Sequence, residues 1–212
     1  MNIFIVGNPG SGKGTQAKLL AKHFGMTHFS TGVVFRQMSG KEADIVRGYM
    51  NRGELVPDEI VLNTVEKYMT EHNLFNDLII DGSPRSLFQY QNFKTFFAKN
   101  NSKFDAAVYV KISDAEATKR LTARREHKVT HEIYNLVTNP PGADINLDDL
   151  IQREDDTNEA VMERLRVQRV PEDLLTAFKS DKILIEIDGE RPINEIFEDI
   201  VMKLQNVKKP TN

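Results

Sequence analysis

Four short runs that are apolar on both faces recur along the chain: NIFIVG at 2–7, DLIIDG at 77–82, AAVYVKI at 106–112 and KILIEID at 182–188. A strand without a polar face must be covered on both sides, which is the situation in a parallel sheet between two layers of helices. THFS at 27–30 supplies a fifth, shorter strand. Between these runs, TQAKLLAKHF, PDEIVLNTVEKYMTEH, SLFQYQNFKTFFAKN, DAEATKRLTARR and NEAVMERLRVQR repeat apolar residues at three- and four-residue spacing, which predicts helices. Strand alternating with helix predicts an α/β doubly wound fold with a five-stranded parallel sheet. Two stretches break the rhythm. Residues 31–59 predict only short helical pieces between glycine-marked turns, and residues 126–152 have no helical period and contain NPPGAD. Both read as insertions into the alternating core.

Composition narrows the function classes. The 28 Lys and Arg against 31 Asp and Glu give no basic field to attract nucleic acid, and no aromatic-lined basic groove is evident. The absence of cysteine excludes disulfides and thiolate metal sites. No apolar run reaches membrane-spanning length, and MNIFIVG has neither the basic flank nor the cleavage site of a signal peptide, so the expected address is the cytoplasm. Residues 142–159 hold seven Asp or Glu against Arg153 alone, which reads chiefly as a solvated surface.

The chemistry begins at the first strand. NIFIVG runs into Asn8, Pro9, Gly10, Ser11, Gly12, Lys13, Gly14 and Thr15, and then into a helix, the layout of a phosphate-binding P-loop. Glycines let successive N–H groups curl around one centre. The helix adds unpaired N–H groups and the positive end of its dipole. Lys13 adds a full charge for the β and γ phosphates. The general pattern puts Ser or Thr directly after the lysine; here Gly14 intervenes and Thr15 follows. GTPases, ATPases and small-molecule kinases share this device, so the loop predicts a nucleotide without predicting its fate.

GNPGSGKGTQ at 7–16 resembles the nucleoside monophosphate kinases, and further matches follow in order. They are STG at 30–32, Arg36, GELVPD at 53–58, DGSPR at 81–85, Gln89, RLTARR at 120–125, NPP at 139–141, REDD at 153–156 and Arg164. Within that group, the long segment between Arg125 and Arg153 looks like the large lid of the adenylate kinase family. The resemblance implies a core of residues 1–30, 60–120 and 157–212, an acceptor-binding insert at 31–59 and a lid at 121–156. The implied reaction is reversible, Mg2+-dependent transfer of the γ-phosphoryl group of ATP to AMP, giving two ADP. The implied enzyme is a monomer that holds no zinc and acts on neither nucleic acid nor membrane.

The resemblance also distributes roles. Lys13, Arg85, Arg120, Arg124, Arg153 and Arg164 act on the transferring phosphoryl group. ATP would lie against Gly10, Ser11, Gly12, Gly14, Thr15, Arg120 and Arg124, with its base at Ile133, Tyr134 and the Arg191 backbone. AMP would lie against Arg36, the turn Gly82, Ser83, Pro84 and Arg85, and Arg153 and Arg164, with its base at Thr31, Gln89 and the backbone of Glu54, Leu55 and Val56. Thr15 and Asp81 would face Mg2+ through water, and Asp155 and Asp156 would orient arginines, or serve as N-terminal carboxylates for the helix that follows. Such a set suits phosphoryl transfer, in which the acceptor phosphate is already ionised and the catalyst neutralises and aligns charge rather than moving protons. Arginine forks clamp phosphate in a way lysine cannot.

Three departures qualify the match: Val33 where family members carry Asp, Ser83 where they carry Phe, and the glycine-free EHKVTHEIY in the lid. His127, Thr130, Asp144 and Asn146 form a candidate hydrogen-bonded substitute for the cysteine–zinc site of some relatives. A UMP/CMP or broad-range kinase, and a nucleotide-binding regulatory protein descended from a kinase, stay open as alternatives.

Overall fold

A computed structural model describes residues 1–207. The last five residues of the core span expected from the sequence, 208–212, lie outside the described residues. The chain runs β1 (Asn2–Gly7), α1 (Lys13–Phe24), β2 (Thr27–Ser30), α2 (Thr31–Gln37), α3 (Lys41–Asn51), α4 (Asp58–Glu71), β3 (Leu78–Asp81) and α5 (Leu87–Lys99). It continues through β4 (Ala106–Lys111), α6 (Asp114–Thr122), β5 (Arg124–His127), β6 (Ile133–Asn135) and β7 (Leu150–Ile151). The last elements are α7 (Asn158–Val167), α8 (Glu172–Ser180), β8 (Leu184–Asp188) and α9 (Ile193–Val207). Among the described residues no helix is long and apolar enough to cross a membrane.

All five predicted strands form, and they pair in the order β2-β3-β1-β4-β8 with every pairing parallel. Alternation along β1 sorts the core. Phe4 and Val6 enter a cluster with Val65, Phe93, Phe97, Phe104, Leu174 and Phe178. Ile3 and Ile5, one residue out of phase, join Ala17 and Leu20 of α1 and Ile196, Ile200 and Leu204 of α9 on the opposite face. Phe4 stacks on Phe104 at a centroid distance of 3.8 Å, so the central strand carries the densest aromatic packing of the α4/α5/α8 layer.

β1 lies between β3 and β4; the chain leaves β1 for β2 on one side of it and, after β3, crosses to β4 and β8 on the other. That is the switch point at which a crevice opens beyond the carboxyl ends of the strands. Gly7, at the end of β1, and Asp81, at the end of β3, stand there.

The segment after α6 departs from the sequence reading. Helix was expected through Arg125, with Arg120 and Arg124 one turn apart; α6 ends at Thr122 and Arg124 opens β5. The apolar stripe Ala117–Leu121 has no continuation at 124 or 125. Arg125 donates to the Thr122 and Arg124 carbonyls at 3.0 and 2.7 Å, satisfying the frayed end with a side chain. β5 then pairs antiparallel with β6 and β7 in a small separate sheet, order β6-β5-β7.

Candidate active site

The loop from Gly7 to Gly12 is shaped by contacts that admit no side chain. At Gly10 the backbone has φ +81°, and a Cβ would sit 2.9 Å from the Ala117 carbonyl oxygen. At Gly14, where the general pattern has Ser or Thr, a Cβ would lie 3.2 Å from Asp81 Oδ2, a tight approach. No side chain caps the N-terminus of α1, so its first N–H groups are open to an anion. Ser11 Oγ is buried without a hydrogen-bond partner in the same loop. Asn8 anchors the loop to the segment after α7, its Oδ1 accepting from the Val170 N–H at 3.1 Å.

Around this loop the chain gathers positive charge. Burial, together with the Arg85 guanidinium, pushes the Lys13 ammonium down to about 7 against the pull of Asp81, and Arg164 and Arg124 add to the repulsion. Arg36 is pushed down to about 10 by burial and by Arg153, with Asp155 opposing. Burial likewise lowers Arg164 to about 10, against Asp155, with Arg124 adding to the lowering. Arg85 and Arg153 shift downward for the same first reason. Lys13, Arg36, Arg85, Arg124, Arg153 and Arg164 therefore form one mutually repelling group. A phosphate chain entering it would relieve that repulsion.

Carboxylates hold the group in shape. Asp156, fully buried, accepts from Arg124 Nε and Nη2 at 2.7 and 2.6 Å and from Arg164 Nη1 at 3.0 Å. Asp155 faces Arg164 at 3.2 Å and Arg36 at 3.6 Å. Both aspartates pair with arginines, and both also stand directly before α7, whose side-chain cap is Thr157, accepting from Ala160 N. Arg120 donates to Glu116 and to the Gly189 carbonyl, each at 2.8 Å, and its Nη1 lies 3.9 Å from where a Gly12 Cβ would be.

Asp81 closes the site beneath the loop. Burial would raise its pKa, but His28, Lys13 and Arg85 together hold it below the ordinary carboxylate value. His28 Nε2 stands 3.5 Å from Asp81 Oδ2, too long for a well-formed hydrogen bond, and Asp81 Oδ1 is buried without a partner. Thr15 is exposed one residue beyond Gly14.

The expected acceptor side is assembled on the turn after β3. Gly82 adopts φ +91°, the Ser83–Pro84 peptide is cis, and Arg85 Nε donates to the Gly82 carbonyl at 2.9 Å. Arg36 Nη1 donates to the Gly32 carbonyl at 3.0 Å, one turn back along α2. Val56 is buried and Leu55 exposed, while Glu54 pairs with Arg52 at 2.7 Å. Gln168 donates to the Gly53 carbonyl at 2.7 Å, tying this strip to the end of α7. The expected ATP-base residues are not drawn into the cationic group by their own hydrogen bonds. Ile133 and Tyr134 lie in β6, where Tyr134 donates its hydroxyl proton to Glu132 at 2.7 Å, and the Arg191 side chain is held by Asp199 at 2.6 Å. The start of α9 is nevertheless fastened to α1 by Gln16 Nε2, which donates to the Ile193 carbonyl at 2.9 Å.

Three functional contacts have no counterpart in the sequence reading. Glu126, buried in β5, accepts from Arg153 Nε and from His131 Nδ1, the latter at 2.8 Å. Asp58 accepts from Gln89, and Gln168 holds Gly53. The alternating charges of RREHK hide Glu126, whereas Asp58 sits inside the GELVPD stretch already singled out.

The family model for adenylate kinase matches residues 5–183. The adenylate kinase of Archaeoglobus fulgidus is 34% identical over 216 residues, covering 98% of this chain and 100% of its own. That of Staphylococcus epidermidis is 35% identical over 209 residues, covering 95% and 97%, and that of Clostridium tetani 35% over 208, covering 94% and 96%. The chain belongs to the adenylate kinase family. As a member of that family it carries its departures in distinct ways. Val33 is 42% exposed on α2, so it removes a carboxylate without filling a cavity. Ser83 is fully buried and shares a 2.8 Å hydrogen bond with Thr31, so the hydroxyl expected at the acceptor base is engaged within the protein. Within residues 121–156, His127 Nδ1 accepts from the N–H groups of Val129 and Thr130 at 3.2 and 3.1 Å, and Asn146 accepts from Asp148 N at 3.1 Å. These are local turn bonds, and the sheet is tied across instead by Lys128 to Asp149 and by Glu126 to Arg153.

Proposed function

We propose that this enzyme transfers the γ-phosphoryl group of ATP to AMP, reversibly, giving two ADP. The carrying observation is the convergence of Lys13, Arg36, Arg85, Arg124, Arg153 and Arg164 beyond the carboxyl end of β1, where Asp81, Glu126, Asp155 and Asp156 oppose their repulsion but leave Lys13, Arg36 and Arg164 shifted downward, so that an anion would relieve it further. Two nucleotides supply that anion, and neither can approach the other unless the charge between them is neutralised. One chain supplies every cation named, so we infer that a monomer suffices.

In this reading Arg36 and Arg85 hold the acceptor phosphate with paired N–H groups, while the open N–H groups of α1, Lys13, Arg120 and Arg124 hold the donor chain. Arg153 and Arg164 stand between, where charge spreads over the transferred oxygens. The monophosphate is ionised near neutral pH, so the site needs no general base. Arg124 and Arg153 come from the segment 121–156, and Asn51 of α3 reaches that segment by donating to Glu154. Residues 31–59 and 121–156 thus act as two covers that bring the arginines inward and keep water from the γ-phosphate. The residues present fit Mg2+: Asp81 Oδ1 is buried without a partner, and the Thr15 hydroxyl is exposed at the mouth of the loop. Bound with ATP, Mg2+ neutralises phosphate oxygens and fixes their geometry.

The test is a panel of AMP, UMP, CMP and GMP with ATP and Mg2+, reading ADP formed per ATP consumed. AMP is expected to be the fastest acceptor, with two ADP per ATP. Faster UMP or CMP would support a pyrimidine or broad-range kinase, and phosphate release independent of acceptor would contradict phosphoryl transfer between nucleotides.

A further inference from the structure

Gln89 is 1% exposed, and its amide is held at both ends. The Arg85 backbone N–H donates to Oε1 at 2.7 Å, and Nε2 donates to Asp58 Oδ1 at 2.7 Å. Neither partner can reverse its role, because a backbone N–H only donates and a carboxylate only accepts. The second oxygen of Asp58 takes the hydroxyl proton of Ser86 at 2.7 Å, and the Ser86 oxygen in turn accepts from Gln89 N at 3.1 Å as the cap of α5. Both carboxylate oxygens therefore work as acceptors.

A free amide side chain can turn over and exchange its donor and acceptor ends. Turned one way it matches a 6-amino purine, donating to ring N1 and accepting from the amino group. Turned the other way it matches a 6-oxo purine, accepting from N1–H and donating to the carbonyl oxygen. At Gln89 that exchange would set N–H against N–H at Arg85 and oxygen against oxygen at Asp58. After the two anchoring bonds, one N–H and one Oε1 lone pair remain, and their polarity is fixed.

We propose that Asp58 is a positioning residue that locks the polarity of the Gln89 amide and thereby makes the acceptor site select a 6-amino purine monophosphate over its 6-oxo counterpart. This rests on the reading above that Gln89 faces the acceptor base. A buried amide of fixed polarity that meets the wrong edge leaves donors and acceptors unpaired on both sides, which excludes a close analogue more strongly than shape does.

AMP and IMP differ only at the 6-position and N1, so the readout is the ratio of their kcat/KM values with saturating ATP in the full-length enzyme. Asp58→Ala removes one anchor. Asp58→Ser replaces it with a hydroxyl that tolerates either amide orientation, and it serves if the alanine variant fails to fold. In either variant the Arg85 N–H alone opposes turning of the amide, and the AMP-to-IMP ratio is expected to fall by about threefold to tenfold. Asp58→Asn, able to turn its carbonyl to Gln89 and its NH2 to the Ser86 oxygen, is expected to restore most of the ratio. A ratio within about twofold of the parent while both kcat/KM values fall together would overturn the proposal, because a purely structural role moves both acceptors alike. A parent enzyme that phosphorylates neither nucleotide would overturn the functional reading, and the proposal with it.

Discussion

Replacing Asp156 with Ala removes the carboxylate on which two arginines of the site depend. The side chain has no exposed surface and accepts three charge-assisted hydrogen bonds, at 2.7 and 2.6 Å from Arg124 and at 3.0 Å from Arg164. Arg164 keeps Asp155, at 3.2 Å, but Arg124 loses both of its bonds to Asp156. The two guanidinium groups have side chains only 10% and 16% exposed, so solvent cannot replace the lost partner. Stripping one member from a buried ion-pair network costs about 3–5 kcal/mol. For a chain of this size, at roughly 2–4 °C per kcal/mol, the unliganded variant should melt roughly 6–20 °C below the parent. Because the deficit is one of negative charge, inorganic triphosphate should raise the variant's melting temperature more than the parent's. Turnover should fall about a hundredfold, since Arg124 and Arg164 would no longer be preset around the transferring group. A variant that melts within about 2 °C of the parent and keeps its turnover would refute the view that this carboxylate holds the cationic group together.

Other expectations follow from the same geometry. Glu126→Gln keeps the shape beside Arg153 but removes the charge; KM for AMP should rise several-fold with ATP KM little changed, measured by steady-state kinetics with each substrate varied. Gly53→Ala should be destabilising by more than about 1 kcal/mol in denaturant titration, because φ there is +76° and a Cβ would lie 2.8 Å from both the Ala160 carbonyl and Arg164 Cγ. Its turnover should fall as Arg164 shifts. Asp155 and Glu126 both have folded pKa values held below ordinary, with burial opposed by the surrounding arginines. Unfolding releases that constraint, so their stabilising contribution is complete above about pH 5 and is lost as pH falls through and below about 4. Asp155→Asn should flatten that acid limb of a melting-temperature profile.

What the sequence made legible depended on which physical signal each element carries. The parallel strands were visible because burial on both faces leaves runs such as IFIV and LII with no polar position. The phosphate loop was visible because backbone curvature and close approach demand glycine, as at Gly10, where φ is +81° and a Cβ would meet the Ala117 carbonyl. The strands of the small separate sheet were not visible. Arg124 is satisfied by Asp156 and Glu126 by Arg153, through charge rather than through an apolar face, so hydrophobic period has nothing to report there, and the helix reading ran three residues too far. The roles of Asp58 and Gln168 escaped for a related cause. Each acts on a residue distant in sequence, Gln89 and Gly53, and only the fold makes those pairs neighbours.

The central claim is that fixed positive groups around the first strand let two anionic nucleotides share a phosphoryl group. Lys13→Met tests it most directly, because it removes one charge from that group while leaving the loop's backbone N–H groups intact. With ATP, AMP and Mg2+ at saturation, the folded variant is expected to form ADP about a hundredfold or more slowly than the parent. ADP formed at the parent's rate would contradict the account.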